Sequence, residues 1–95
     1  MRLVISRAAR ADLKSIARYS EREWSSTQAK VYMAALAQRF RTLLRLPRLG
    51  APRGDIAADY RSLSSGRHVI FYRLAGEELV IVRVLHQSMD AKLHL

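Results

Sequence analysis

The feature that most constrains this 95-residue chain is a change of hydrophobic period at residues 47–54. Upstream, apolar residues recur every three or four positions. Downstream they alternate or run together in short blocks rich in Val, Ile, Phe and Tyr. A helical period cannot bury one face of a strand, nor a strand period one face of a helix, so the two halves must adopt different secondary structure. Pro47 stops the upstream pattern, and Gly50, Pro52 and Gly54 mark the loop between the halves.

Within the first half, Leu3, Val4 and Ile5 form a short strand-like run, with Leu3 and Ile5 on one face. Ser6 is then placed to cap a helix starting near Arg7. Ala9, Leu13, Ile16, Ala17, Ser20 and Trp24 share one face of that helix. Arg7, Arg10, Lys14, Arg18 and Arg22 make a second, basic stripe, with Asp12, Glu21 and Glu23 the only acids nearby. Ser25-Ser26-Thr27-Gln28 reads as a capping box for a second helix reaching about Leu46. Its apolar face is Ala29, Tyr32, Met33, Leu36, Phe40, Leu43 and Leu44. Two helices joined by so few residues predict an antiparallel helical hairpin.

Three strands are predicted at 59–63, 67–74 and 78–85, with Ser64-Ser65-Gly66 and Ala75-Gly76-Glu77 as hairpin turns. The third run is apolar almost throughout, which predicts an interior strand covered on both faces. Simple alternation sets Val80, Val82 and Val84 on one side and Leu79, Ile81, Arg83 and Leu85 on the other. An arginine in such a strand needs water, an acid or a partner, so Arg83 reads either as half of a structural ion pair or as part of a working face. In the tail, residues 86–95, Met89 and Leu93 are spaced to pack back as one helical turn. The expected fold is α+β in the order β-α-α-β-β-β: an N-terminal strand, a helical hairpin on a small antiparallel sheet, and a short tail. One domain spanning 1–95 is the expectation for a chain of this length.

Charge narrows the function. The net charge is +9. Residues 1–53 hold 12 Lys and Arg against 3 acids, whereas residues 54–95 hold 5 of each. The field of the first half attracts acidic proteins, nucleic acid or anionic surfaces. There is no cysteine, which excludes disulfides and thiolate metal sites. No apolar run approaches the ~18–20 residues of a membrane span, and the N-terminus lacks the apolar core of a signal peptide. These observations predict a soluble cytoplasmic protein. No phosphate loop, nucleophilic serine motif or carboxylate pair is present. His86 and Asp90 are the only metal-type pair near helical spacing, too little to imply a metal, and no cofactor is implied.

Three segments carry a resemblance to the RelE/ParE toxin superfamily, and to its ParE branch in particular. SRAARADLKSIARYS (6–20) is similar to the ParE opening, where a basic helix containing alanines follows the first strand. YRSLSSGRHVIFYRL (60–74) resembles the family's second and third strands around a Ser-Gly turn. VRVLHQSMDAKLHL (82–95) is similar to the ParE closing segment. The resemblance implies the toxin of a type II toxin–antitoxin system that poisons DNA gyrase and is neutralised by a ParD-type antitoxin, touching DNA only through that antitoxin. RelE relatives instead cleave messenger RNA on the ribosome, with lysines on the second strand, arginines on the third strand and after the fourth, and a tail tyrosine. Here the corresponding positions are Asp59 and Arg61, His68, Ser88 and His94. The cationic set is thus largely absent, leaving Arg61, His68 and His94 as a reduced site, and the expectation is a binding protein rather than an enzyme. On that reading Arg10, Lys14, Arg18, Trp24, Arg41 and Arg45 face the antitoxin. Arg61, His68, Arg83, Lys92 and His94 face the cellular target. A plain nucleic-acid-binding module uses the same charge but has few aromatics and no recognition motif to support it.

Overall fold

The computed structural model describes residues 1–95. Strand β1 (Arg2–Ile5) leads into helices α1 (Arg7–Glu23) and α2 (Ser26–Arg45). Strands β2 (Ala51–Pro52), β3 (Tyr60–Ser65), β4 (His68–Ala75) and β5 (Glu78–His86) follow, and a 3₁₀ turn closes the chain at Ala91–Leu93. The predicted order holds with one addition, the two-residue edge strand β2, which pairs with Arg61 and Ser62 of β3. Gly50, Pro52 and Gly54, in and around it, predict only a loop.

Local chemistry explains both helix starts. Ser6 Oγ accepts from the Ala9 N–H at 3.0 Å and donates to the Val82 carbonyl at 2.8 Å. The cap therefore also fastens α1 to the sheet. Ser25 Oγ accepts from the Gln28 N–H at 3.1 Å. The return bond from the Gln28 side chain is not formed.

The sheet order is β1-β5-β4-β3-β2. β3, β4 and β5 form the predicted antiparallel meander, but β1 joins β5 in parallel, from Arg2 opposite Glu78 to Ile5 opposite Ile81. The sheet is therefore mixed rather than wholly antiparallel. The helical hairpin covers one face. Ala9 and Ile16, then Leu36, Phe40 and Leu43, meet Ile70, Tyr72, Leu79, Ile81 and Val84 in one core. Each buried Leu, Ile, Val or Phe among them contributes roughly 1.5–3 kcal/mol.

Alternation along β5 breaks at one point. Tyr72 lies opposite Ile81 and Phe71 opposite Arg83, so Val82 is an extra residue. A bulge of this kind shifts the phase of the strand. Val84 consequently joins Leu79 and Ile81 in the core rather than siding with Val80 and Val82.

The pairing of β1 ends at Ile5, opposite Ile81, while β5 continues to His86. Helix α1 takes over the edge that β1 leaves. Asp12 Oδ2 accepts the Val84 N–H at 2.9 Å, and the same carboxylate accepts Arg83 Nε and Nη2, each at 2.8 Å. Arg83 Nη1 donates to the His94 carbonyl at 2.8 Å, which holds the tail. The tail turn is capped by Asp90, whose Oδ1 accepts the Lys92 N–H at 3.0 Å. Leu93 is 79 % exposed, so the tail is fixed by polar bonds and not by the Met89–Leu93 packing that their spacing allowed.

Removing Asp12 leaves a partly buried guanidinium and a strand amide without their acceptor. Asp12→Ala is expected to cost about 2–3 kcal/mol in urea unfolding. Asp12→Asn, which retains an acceptor for Val84, is expected to cost less, and Lys14→Ala within about 0.5 kcal/mol of zero.

Candidate functional site: two faces of the helical hairpin

Helical spacing gives α1 two borders around its buried stripe of Ala9, Ile16 and Ser20. Leu13 and Ala17 lie on one border, with Arg10, Lys14 and Arg18 exposed beyond them. Asp12, Ser15 and Tyr19 lie on the other.

The first border opens on a groove of about 340 Å³ between α1, α2 and β1, lined by Leu3, Ile5, Leu13, Met33, Ala37 and Arg41 among others. Arg41 and Arg45 are both exposed on α2, and Arg41 donates to Gln38 Oε1 at 2.8 Å. The groove thus combines an apolar floor with Arg41 in its wall. Of the six residues expected to face an antitoxin, Arg41 lines it, while Arg10, Lys14, Arg18 and Arg45 are exposed elsewhere on the two helices. Trp24 caps the C-terminus of α1, 38 % exposed, with its ring 5.6 Å from that of Tyr32.

The second border opens on a cleft of about 390 Å³ between α1 and the ends of β4 and β5. Ile16, Val84 and Leu85 are apolar lining residues, and Tyr19, Trp24, Met89, Arg67, His68 and His86 complete most of the wall. A chain of ring contacts adjoins it: Trp24 to Tyr32, Tyr32 to His68 at 5.5 Å, and His68 to His86 at 5.4 Å. Tyr32 Oη accepts the Arg67 N–H at 2.9 Å and lies 2.5 Å from His68 Nδ1. The Ser65 carbonyl, at 3.3 Å, is a second acceptor within reach of the same hydroxyl, so the direction of the Tyr32–His68 bond follows the His68 tautomer. His86 Nδ1 accepts the Ser88 N–H at 3.1 Å, which makes neutral His86 the Nε2–H tautomer. The Tyr32 ring packs so closely on the β3–β4 turn that a Cβ at Gly66 would lie 2.6 Å from it, and Gly66 has φ +58°. Only glycine satisfies both conditions there. Burial, with the His86 charge adding to it, pushes the His68 pKa down, and Asp12 opposes the shift.

The residues expected to face a target are dispersed. Arg61 Nη1 donates to the carbonyls of Gly50 and Arg48, so it braces the loop after α2. His68 points to Tyr32 on the helix side. Arg61 pairs with Tyr72, four residues along β4 from His68, or about 13 Å of strand. Arg83 is engaged by Asp12, whose hydrogen bond raises its pKa, and by the His94 carbonyl. Lys92 lines a separate cleft with Arg53, Phe71 and Asp90 on the opposite side of β4. The cluster of Tyr19, Tyr32, Arg67, His86 and Met89 escaped sequence reasoning. The signal that pointed to it was a tyrosine among the apolar positions of α2, whose hydroxyl needs a partner when half-buried. No three His, Asp or Glu side chains converge.

With this geometry in place, comparison with known proteins is decisive. The profile of the ParE toxin of the type II toxin–antitoxin system parDE matches residues 3–91. The chain belongs to the ParE toxin family. It is 44 % identical over 91 residues to Toxin ParE1 of Caulobacter vibrioides, covering 96 % of this chain and 94 % of that one. It is 38 % identical over 95 residues to Toxin ParE1 of Mycobacterium tuberculosis, covering 99 % and 97 %. Toxin ParE of Escherichia coli is 34 % identical over 91 residues, covering 92 % and 85 %. Among solved structures, the fold matches a chain of the chromosomal ParDE system of P. aeruginosa with a TM-score of 0.79 at 23 % identity, covering 90 % of this chain and 95 % of that one. A chain of the RelBE2 toxin–antitoxin complex of Mycobacterium tuberculosis matches with a TM-score of 0.66 at 26 % identity and the same coverage. This ParE-family chain has no helix long and apolar enough to cross a membrane.

The His68 shift has a defined stability signature. Its unfolded pKa is near 6.5 and its folded pKa lies lower, so below pH 6.5 the unfolded state binds more protons. The His68 contribution is fully present above pH 6.5 and is lost as pH falls towards the folded pKa. His68→Asn is expected to flatten this part of the profile, read as urea midpoints at pH 7.5 and 5.5. A slope equal to that of the parent protein contradicts the assignment.

Proposed function

We propose that this ParE-family toxin stops replication by binding DNA gyrase, that a ParD-type antitoxin neutralises it, and that it performs no catalysis of its own. The observation that carries the antitoxin part is the groove between α1 and α2. An apolar floor with Arg41 in its wall, and with Arg10, Lys14 and Arg18 exposed on α1 beyond Leu13 and Ala17, suits an amphipathic antitoxin helix whose acids meet the basic residues. Trp24 was grouped with these residues, and its position beside Tyr32 sets it apart from the groove.

The binding reading gains support from the chemistry of the strands. Arg61 and Arg83 satisfy backbone carbonyls and Asp12, and His68 satisfies Tyr32. A ribonuclease needs cations and a proton carrier converging on one phosphate. The tail is the remaining candidate for contact with gyrase: Lys92 and His94 are exposed at its tip, joined to the body by Arg83.

Changing Arg10, Lys14 and Arg18 together to Glu is expected to weaken antitoxin binding at least ~10-fold, because rim charges of the wrong sign repel the antitoxin acids. Unchanged affinity contradicts the groove as the docking site. Induction in cells is expected to stop DNA synthesis while ribosome-bound messages stay intact. Cleavage of translated messages that Arg61→Ala or His94→Ala abolishes overturns the reading in favour of the RelE-type endonuclease. Deleting residues 92–95 is expected to abolish growth inhibition and to preserve antitoxin pull-down. Full toxicity of the truncated chain removes the tail from the gyrase-facing surface.

A further inference from the structure

The Leu13–Arg41 groove leaves the opposite side of the hairpin without an occupant, and that side carries the densest group of exposed aromatic residues in the molecule. Tyr19 is 53 % exposed and Trp24 38 % exposed above the cleft floored by Ile16, Val84 and Leu85. A second open depression, about 440 Å³, lies on α2 and is lined by Val31, Ala35, Tyr32, Thr27 and Gln28. Val31 is 67 % exposed within it. Trp24 and Arg67 line both depressions, so the two form one continuous strip with these residues at its midpoint.

The polar groups along the strip have one sign. Arg67 contributes its backbone N–H to Tyr32, but its guanidinium has neither an ion pair nor a hydrogen-bond acceptor. His68 and His86 stand behind it, each with Nδ1 engaged in a hydrogen bond. The single acid in the lining, Asp12, already holds Arg83 and the Val84 amide. We infer that this strip binds an extended acidic peptide segment of a partner protein, with an apolar side chain in each depression and a carboxylate between them on Arg67.

Three features select that occupant. A Trp and an Arg side by side, flanked by smaller apolar residues, are the side chains that dominate the energy of protein interfaces. The two depressions are chiefly apolar, with Ile16, Val84 and Leu85 as the floor of one and Val31 and Ala35 in the other, which suits leucine-like anchors. An unpaired guanidinium at the midpoint complements a carboxylate in one of the stronger polar contacts available at a surface. The strip lies across the hairpin from the Leu13–Arg41 groove, so the two surfaces are separate and this inference does not depend on where the antitoxin sits.

Trp24 is the only tryptophan in the chain, so its fluorescence reports on the strip directly. The full chain is titrated with a blocked heptapeptide, acetyl-Leu-Asp-Glu-Leu-Asp-Glu-Leu-amide, with its Asn/Gln counterpart, and with oligothymidylate. The acidic peptide is expected to give a saturable change, at least ~10-fold tighter than the neutral one. Arg67→Gln is expected to lose at least ~10-fold while circular dichroism stays unchanged, and Lys30→Gln, exposed elsewhere on α2, to bind as the parent does. Equal affinity in Arg67→Gln overturns the inference. So does saturation by oligothymidylate but not by the peptide, and so does Trp24 fluorescence that depends on protein concentration alone, which marks the strip as a contact between two copies.

Discussion

The whole arrangement depends on how the open edge of β5 is closed. β5 runs for nine residues, β1 for four, and their pairing ends at Ile81. An uncovered interior edge would leave backbone groups without partners or invite another strand. Helix α1 solves this with two side chains. Ser6 satisfies the Val82 carbonyl, and Asp12 satisfies the Val84 amide. Arg83 completes the solution. A guanidinium in so apolar a strand is costly unless paired, and Asp12 meets it with two 2.8 Å bonds while its third nitrogen holds the tail. One carboxylate therefore sets the position of α1, the state of Arg83 and the path of the C-terminus.

Much of this was legible in the sequence, and what was not has specific causes. Helix caps, the helical hairpin and the meander rest on local patterns, and Ser6, Ser25, Gly66 and Gly76 announced them. Pairing between segments far apart carries no such pattern. Nothing in Leu3 to Ile5 specifies a parallel partner some 76 residues later. Counting outward from the turn at Gly76 pairs His68 with Leu85; the bulge at Val82 moves the register by one and places His86 opposite His68 instead. The histidine pair, the core position of Val84 and much of the second cleft follow from that single extra residue. Tyr72 gave a partial signal. Its hydroxyl, inside the core, donates to the Pro47 carbonyl at 2.7 Å and accepts the Gly50 N–H at 2.9 Å, which fixes the loop whose Gly and Pro residues were plain in the sequence.

For function, the consequence is a helix with two differently charged shoulders. On the shoulder of Leu13 and Ala17, an apolar groove has Arg41 in its wall, and basic residues of α1 stand exposed beyond. On that of Asp12 and Tyr19, the acid is consumed internally and aromatics stand exposed beside an unpaired arginine. Family membership makes the chain a toxin of a type II toxin–antitoxin system, and the first shoulder has the chemistry to suit a protein partner. Two of the three residues of the reduced ribonuclease site are instead occupied in holding the fold, Arg61 on the loop and His68 on Tyr32. The same residues that weaken a catalytic reading explain how so small and so basic a chain stays folded.

The central claim is that α1 is locked to β5 as a neighbouring strand would be, through the Val84 amide. Native-state hydrogen exchange at that single N–H tests it most directly. The lock predicts that the Val84 amide exchanges only with global unfolding, as slowly as amides in the β4–β5 ladder. Exchange as fast as that of amides in the terminal turn at Ala91–Leu93 would contradict it and would detach both shoulders of α1 from the geometry described.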